Sequence, residues 1–281
     1  MRKRILSIVL LTLLSVSLTG CRTITTTTTP SPEELAALLA EYREVEYDIL
    51  LVAGQSNAYG VGRGDGDPYP EDDRIVMLND DLVIATAAER RVGGDAWNNF
   101  SLFFAKAYVE EGLLEEGRTL LILNMAIGGT GFKDHRWSPG KDLYERMVST
   151  ALAVLSLNSE NRIVSVLWHQ GETDAFLDST YREYYGHLYD MIGSLRTDLG
   201  LQGIPFIAGD FVPAWKEEAK ADYPVDEVIA AARQALIDLP DCGFVETDGL
   251  SGNVNDVIHF SREANIELGR RYFDVYLTMI D

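Results

Sequence analysis

The apolar run Ile49-Leu50-Leu51-Val52-Ala53 stops at Gly54 and is followed at once by Gln55-Ser56-Asn57. A run with no polar face reads as a strand of a parallel sheet covered on both sides, here over Tyr47 to Ala53. Ligands of such sheets bind just beyond the carboxyl ends of the strands, so Ser56 stands where chemistry is placed and is the candidate nucleophile. Two more apolar runs end on polar clusters. Leu120 to Ala126 leads into Gly128-Gly129-Thr130, and Ile163 to Trp168 leads into His169-Gln170-Gly171-Glu172. A fourth cluster, Asp256-Val257-Ile258-His259, stands just before the last helical stretch.

Between the apolar runs the spacing turns helical. Phe100, Phe103, Phe104 and Ala107 share one stripe, as do Leu143, Met147, Ala151 and Val154. Tyr181, Tyr184, Tyr185, Leu188, Ile192 and Leu195 follow before Gly200, then a helix from Asp226 to about Ile237 and a last one from Ser261. Short strands are expected at Arg74 to Leu78 and Ile204 to Ala208, with Pro205 tolerated at a strand start. The stretch up to Asn99 reads as an irregular loop over the active face. Gly60 to Gly66 lacks the spacing of a dinucleotide loop and reads as a flexible rim beside Ser56. Alternating strands and helices predict one three-layer α/β/α sandwich over residues 47–281 with a parallel sheet.

Arg2-Lys3-Arg4, the apolar run Ile5 to Leu18 and then Leu18-Thr19-Gly20-Cys21 have the form of a secretory leader, and the run is short for a membrane span. The threonine-rich stretch to Pro30 reads as a tether, and Ser31-Pro32-Glu33-Glu34 opens a short helix that either packs on the domain or prolongs the tether. The formal charge is -20, and -23 once the three leader cations are gone. A surface of that sign excludes nucleic acid as a partner class. Cys242 has no second cysteine in the domain and reads as a small buried residue.

A serine hydroxyl needs a base to take its proton during attack. Of the four histidines, His187 sits in the tyrosine-rich helix and His135 in the glycine-rich loop, where substrate contact and plain exposure are equally open. His169 ends a strand and serves equally well as a loop anchor. His259 alone has a carboxylate three residues before it, so Asp256 is placed to hold Nδ1 and turn Nε2 toward Ser56. The bland alternative for this pair is a helix-capping loop ahead of Ser261. The oxyanion of acyl transfer needs preplaced donors; the candidates are the Ser56 N–H, a glycine N–H at 128 or 129, and the Gln170 amide. His169, Glu172 and Asp174 are too few and too poorly spaced for zinc, and no cofactor motif is present, so neither metal nor cofactor is expected.

The four clusters GQSN, GGT, HQGE and DxxH, in this order, resemble the SGNH (GDSL-like) hydrolase superfamily over residues 47 to 281. Within it they are most similar to the carbohydrate esterase branch that holds family 6 acetylxylan esterases and sialate O-acetylesterase-like proteins. The resemblance implies a flavodoxin-like strand order 2-1-3-4-5 and catalysis by Ser56, Asp256 and His259. It chooses Gly128 over Gly129, makes Gln170 the third oxyanion donor, and gives Gln55, Asn57, Gly129, His169 and Glu172 supporting places. It also implies an acetylated carbohydrate or other small ester as substrate. Leu-Thr-Gly-Cys resembles a bacterial lipobox, which implies cleavage after residue 20, lipid on Cys21 and an exported, membrane-anchored protein. Two carboxylates, Asp256 and Glu172, are candidates to orient His259; the local one is favoured and Glu172 is expected to support it. Two rival readings are a catalytically silent carbohydrate-binding lipoprotein on the same fold, against which the intact triad speaks, and an acyltransferase, which would share every residue.

Overall fold

The computed structural model describes residues 29–280. The leader, Cys21 and the threonine run up to residue 28 lie outside the described residues. In chain order the strands are β1 (Glu46–Gly54), β2 (Gly62–Gly64), β3 (Ile75–Leu78), β4 (Ile84–Thr86), β5 (Arg90–Val92), β6 (Asp95–Asn98), β7 (Arg118–Asn124), β8 (Arg162–His169), β9 (Phe206–Gly209), β10 (Cys242–Val245), β11 (Gly252–Asn253) and β12 (Asp256–Phe260). The helices are α1 (Pro32–Leu38), α2 (Ser56–Tyr59), α3 (Phe100–Glu110), α4 (Asp142–Leu157), α5 (Glu172–Phe176), α6 (Tyr181–Leu199), α7 (Pro213–Ala219), α8 (Val225–Ile237) and α9 (Arg262–Ile280).

The main sheet runs β10-β9-β8-β1-β7-β3-β4, parallel except for β4 at its edge. Helices α3 and α9 cover one face, and α1, α4, α6 and α8 the other, which makes the α/β/α sandwich. Strands β7-β1-β8-β9-β10 follow the expected flavodoxin-like order 2-1-3-4-5, with β7 and not β3 as the second strand, and β3 and β4 extend the sheet beyond β7. Strand β3 does not touch β1; β7 lies between them. A physical reason is visible in burial: β3 hides only Ile75 and Leu78 and suits a place near the edge, whereas Ile49 to Ala53 of β1 are fully buried. Each such Leu or Ile stabilises the fold by about 1.5–3 kcal/mol.

Helix ends follow their sequence signals. Asn99 caps α3 through Leu102 N–H, Thr180 and Glu183 form a capping box on α6, and Gly200 ends α6 in the left-handed region. Ser31 and Glu34 do the same for α1, and Leu35 and Leu39 are buried where α1 packs on α4. That helix is therefore part of the domain. The loop expected up to Asn99 holds the edge strand β4 and the β5–β6 hairpin. The glycine-rich rim is likewise ordered, since β2 pairs with β6 and lies so close to α9 that a Cβ on Gly62 would collide with Asn265.

At the amino ends of the three central strands, buried Asp48 of β1 accepts from Arg118 Nε of β7 (2.8 Å), Arg162 Nε of β8 (2.7 Å) and Tyr108 Oη of α3 (2.9 Å). The opposite ends are left to the loops. From β1 the chain builds one side of the sheet (β3, β4, β7) and then the other (β8, β9, β10). The carboxyl end of β1 is thus the topological switch point, where the loops after β7 and β8 part and leave a crevice.

Candidate active site

Ser56 is the first residue of α2, directly after β1. The turn depends on Gly54, whose φ of +129° is disfavoured for other residues and whose absent Cβ would collide with the His169 carbonyl. That same carbonyl accepts Gln55 N–H at 2.9 Å, so β8 holds the nucleophile turn.

His259 and Asp256 do not lie in a helix-capping loop. They stand on β12, whose antiparallel partner is β11, outside the main sheet. His259 Nε2 is 2.8 Å from Ser56 Oγ, and its Nδ1 is 2.9 Å from both Asp256 oxygens. With Nδ1–H donating to the carboxylate, Nε2 is the lone pair that faces the serine hydroxyl. Asn57 sets this distance. Its Oδ1 accepts Phe260 N–H at 3.1 Å and its Nδ2 donates to the Ile258 carbonyl at 3.1 Å, so the residue after the nucleophile grips the backbone on both sides of the base.

Asn57 Nδ2 also donates to Glu172 Oε1 at 2.7 Å. Glu172 is fully buried, burial pushes its carboxyl up to about 7, and among the described residues its Oε2 has no partner. Its Oε1 contacts Asn57, whereas the carboxylate on His259 Nδ1 is Asp256. Asn253 and Arg63 are additional neighbours that the sequence reading missed. Asn253 bridges Val61 and Arg63 of the β2 region (3.0 Å each), and Arg63 lies 3.9 Å from Asp256.

On the other side of Ser56 lies the loop after β7. A Cβ on Gly128 would sit 3.7 Å from Ser56 Cβ, whereas one on Gly129 would meet nothing within 4 Å. Gly128 is therefore the glycine beside the nucleophile. Neither its N–H nor that of Ser56 is taken by an acceptor among the described residues, and both stand beside the serine. The donor role the resemblance implies for Gln170 is not open to it in this arrangement. Its Nε2 lies 2.7 Å from Asp174 Oδ2 and 3.2 Å from both Thr130 O and Gln55 Oε1, so both hydrogens have protein acceptors. Gln170 instead braces Gln55, whose Oε1 also accepts from Thr173 N–H at 3.1 Å. Asp174, whose carboxyl burial raises, accepts from Phe132 and Lys133 N–H (2.9 Å each) and so shapes the glycine loop. An acid two residues past Glu172 was the only signal for it in the sequence.

His169 is an anchor. Tyr272 Oη donates to the Trp168 carbonyl (2.8 Å) and accepts from His169 Nδ1 (3.0 Å), while burial pushes the imidazole down to about 3 and keeps it neutral. His187 stacks on Phe132, and His135 is exposed in the loop with a left-handed backbone.

A family model described as carbohydrate esterase, sialic acid-specific acetylesterase, matches residues 46–278. A probable carbohydrate esterase of Arabidopsis thaliana is 33% identical over 176 residues, 62% of each chain, so the match spans less than two thirds of that relative. A probable 9-O-acetyl-N-acetylneuraminic acid deacetylase of Escherichia coli strain K12 is 30% identical over 96 residues, 31% of this chain and 29% of that one. The X-ray structure of the Arabidopsis protein superposes with a TM-score of 0.65 at 25% identity, covering 83% of this chain and 98% of that one. The crystal structure of NanS does so with a TM-score of 0.66 at 22% identity, covering 84% and 98%. The fold is that of the SGNH-type carbohydrate esterases. Because the family model takes in the central sheet, all four polar clusters and nearly all of α9, this chain belongs to the carbohydrate esterase family described as sialic acid-specific acetylesterase.

Proposed function

We propose that the protein is a serine esterase that removes acyl groups, acetyl in the first place, from carbohydrate. The observation that carries this reading is the relay Asp256–His259–Ser56, with both links at 2.8 to 2.9 Å at the switch point of the sheet. Ser56 Oγ attacks the ester carbonyl carbon while His259 Nε2 takes its proton. The tetrahedral oxyanion points to the Ser56 and Gly128 amides, each such donor contributing about 2.7–4 kcal/mol to the transition state. Collapse returns the proton from His259 to the departing alcohol, and water, with His259 again as base, releases the acid. Acetyl and sugar are supported by the family and by the relatives' descriptions. An exported form held to a membrane by lipid on Cys21 is part of the proposal and rests on the leader pattern alone.

The test is acetate release by residues 22–281 from aryl acetates and acetylated sugars. Ser56→Ala is expected to lose roughly a thousandfold or more of the rate while keeping its circular dichroism, because no other group can form the acyl-enzyme. Turnover near that of the parent protein would refute the mechanism. Running the assay with and without sugar acceptors separates hydrolysis from acyl transfer.

A further inference from the structure

One face of the small β2-β6-β5 sheet carries a row of side chains that the mechanism above does not use. Arg63 of β2 and Arg90 of β5 each stand directly opposite Trp97 of β6, so the three share a face. The alternate residues take the other face. Gly62 lies against Asn265, Gly64 against Arg262 and Glu263, and Asn98 is hydrogen-bonded to Asn265 and to the Arg262 carbonyl, all on α9. Packing on α9 therefore turns the row Arg63–Trp97–Arg90 away from that helix. The Arg63 guanidinium lies 5.9 Å from the centre of the half-buried Trp97 ring, and that of Arg90 lies 5.8 Å from the centre of the Tyr59 ring.

Both ends of the row meet the catalytic groups. Helix α2 buries Asn57 and Ala58 and leaves Ser56 and Tyr59 accessible, so the nucleophile and the tyrosine face the same way. They stand three residues apart on that helix, which puts about 5–6 Å between their Cβ atoms. Tyr59 is 42% exposed and carries Arg90 on its ring. At the other end Arg63 is 3.9 Å from Asp256, the acid on His259. The charges of the row are largely unspent. Arg90 gives one N–H to the Gly60 carbonyl (3.0 Å) and, among the described residues, pairs with no carboxylate. Among the same residues the Arg63 guanidinium makes no hydrogen bond, and its acid neighbour Asp256 is already held by His259. In a chain of formal charge -20, these two cations give the rim beside Ser56 the sign that attracts an anion.

Resting on the esterase reading, we infer that this row is the subsite for a carboxylate on the sugar that carries the acyl group. Arg90 takes the carboxylate on its open N–H edge, where a planar guanidinium matches both oxygens at once. Tyr59 and Trp97 offer ring faces to the apolar C–H side of the sugar. Arg63 adds attraction from the far end of the row. The substrate class is an O-acetylated acidic sugar, a sialic or a uronic acid.

The experiment reads acetate release, as kcat/KM, from an aryl acetate, from an O-acetylated sialic acid and an O-acetylated galacturonic acid, and from the carboxyl methyl ester of each sugar. The parent protein should prefer at least one free acid to its methyl ester by about tenfold or more, mainly through KM, and the sugar that shows this identifies the source of the carboxylate. Arg90→Gln should cut that preference about tenfold and Arg90→Lys less, since lysine keeps the charge without the fork. Raised salt should shrink the preference in the parent protein itself. A general loss of structure lowers acid and methyl ester together and leaves their ratio alone. A preference that Arg90→Gln leaves within about twofold of the parent overturns the subsite. So does a parent protein that treats acid and methyl ester alike, or that releases acetate from the aryl acetate and from no sugar. A protein that cleaves none of the esters refutes the esterase reading itself, and the subsite with it.

Discussion

Replacing Glu172 with glutamine removes a buried proton site without changing its shape. In the folded protein burial holds the Glu172 proton up to about pH 7, whereas in the unfolded chain the group ionises near its ordinary 4.5. Between those values the unfolded state binds fewer protons than the folded one, so this group makes stability fall as pH rises. Its contribution is fully present below about pH 4.5 and is lost as pH passes through 7. The gap between the two values corresponds to about 3 kcal/mol. The glutamine amide still offers an oxygen to Asn57 Nδ2, but it puts two N–H groups where Oε2 has no partner. That change costs about 1–3 kcal/mol at every pH. The signature is therefore a slope and not an offset. Urea unfolding from pH 4.5 to 8.5 should show the parent protein losing about 3 kcal/mol relative to Glu172→Gln across the range. Curves that run parallel would refute the buried, proton-holding carboxyl.

Asp256→Asn should lower kcat about ten-thousandfold on an aryl acetate by favouring the wrong imidazole tautomer, and Glu172→Gln should lower it much less; the reverse order would move the orienting role to Glu172. Gly54→Ala should destabilise the fold by more than about 1 kcal/mol, through both its positive φ and the collision with the His169 carbonyl; an unchanged urea midpoint would contradict the close approach. On the proposed export with lipid on Cys21, Cys21→Ser should leave the protein detached from membranes, which cell fractionation reads; membrane association that survives leader cleavage and this change would contradict that proposal.

The long central strands and the amphipathic helices were legible because each carries its own period: β1 as an unbroken apolar run, α3, α4 and α6 as stripes, with caps on α3 and α6. The place of β3 beyond β7 was not legible, since both strands are apolar and nothing local says which one borders β1. The short strands escaped for a related reason. Cys242 to Val245 contains a glycine and spans four residues, and Gly62 to Gly64 reads as a loop until α9 is packed against it. At the site, Ser56 stood out because an apolar run ends just before it, and Asp256 with His259 because a carboxylate precedes a histidine by three residues. Their supports did not. That Asn57 grips both neighbours of His259 depends on segments 201 and 203 residues apart, and the acceptors of Gln170 come from 4, 40 and 115 residues away.

The base and its acid share one two-stranded hairpin, while the nucleophile belongs to the sheet, and this division sets the order in which the site comes apart. Asp256 and His259 lie on one strand, so an opening of the hairpin would break the 2.8 Å contact to Ser56 before the 2.9 Å contact within the pair. Asn57, Asn253, the packing of β12 on α7 and the seat of Phe260 against His169 resist that opening. Local openings of such segments need less free energy than global unfolding. Warming should therefore part His259 from Ser56 before the sheet melts, and cooling should restore the contact without refolding the core.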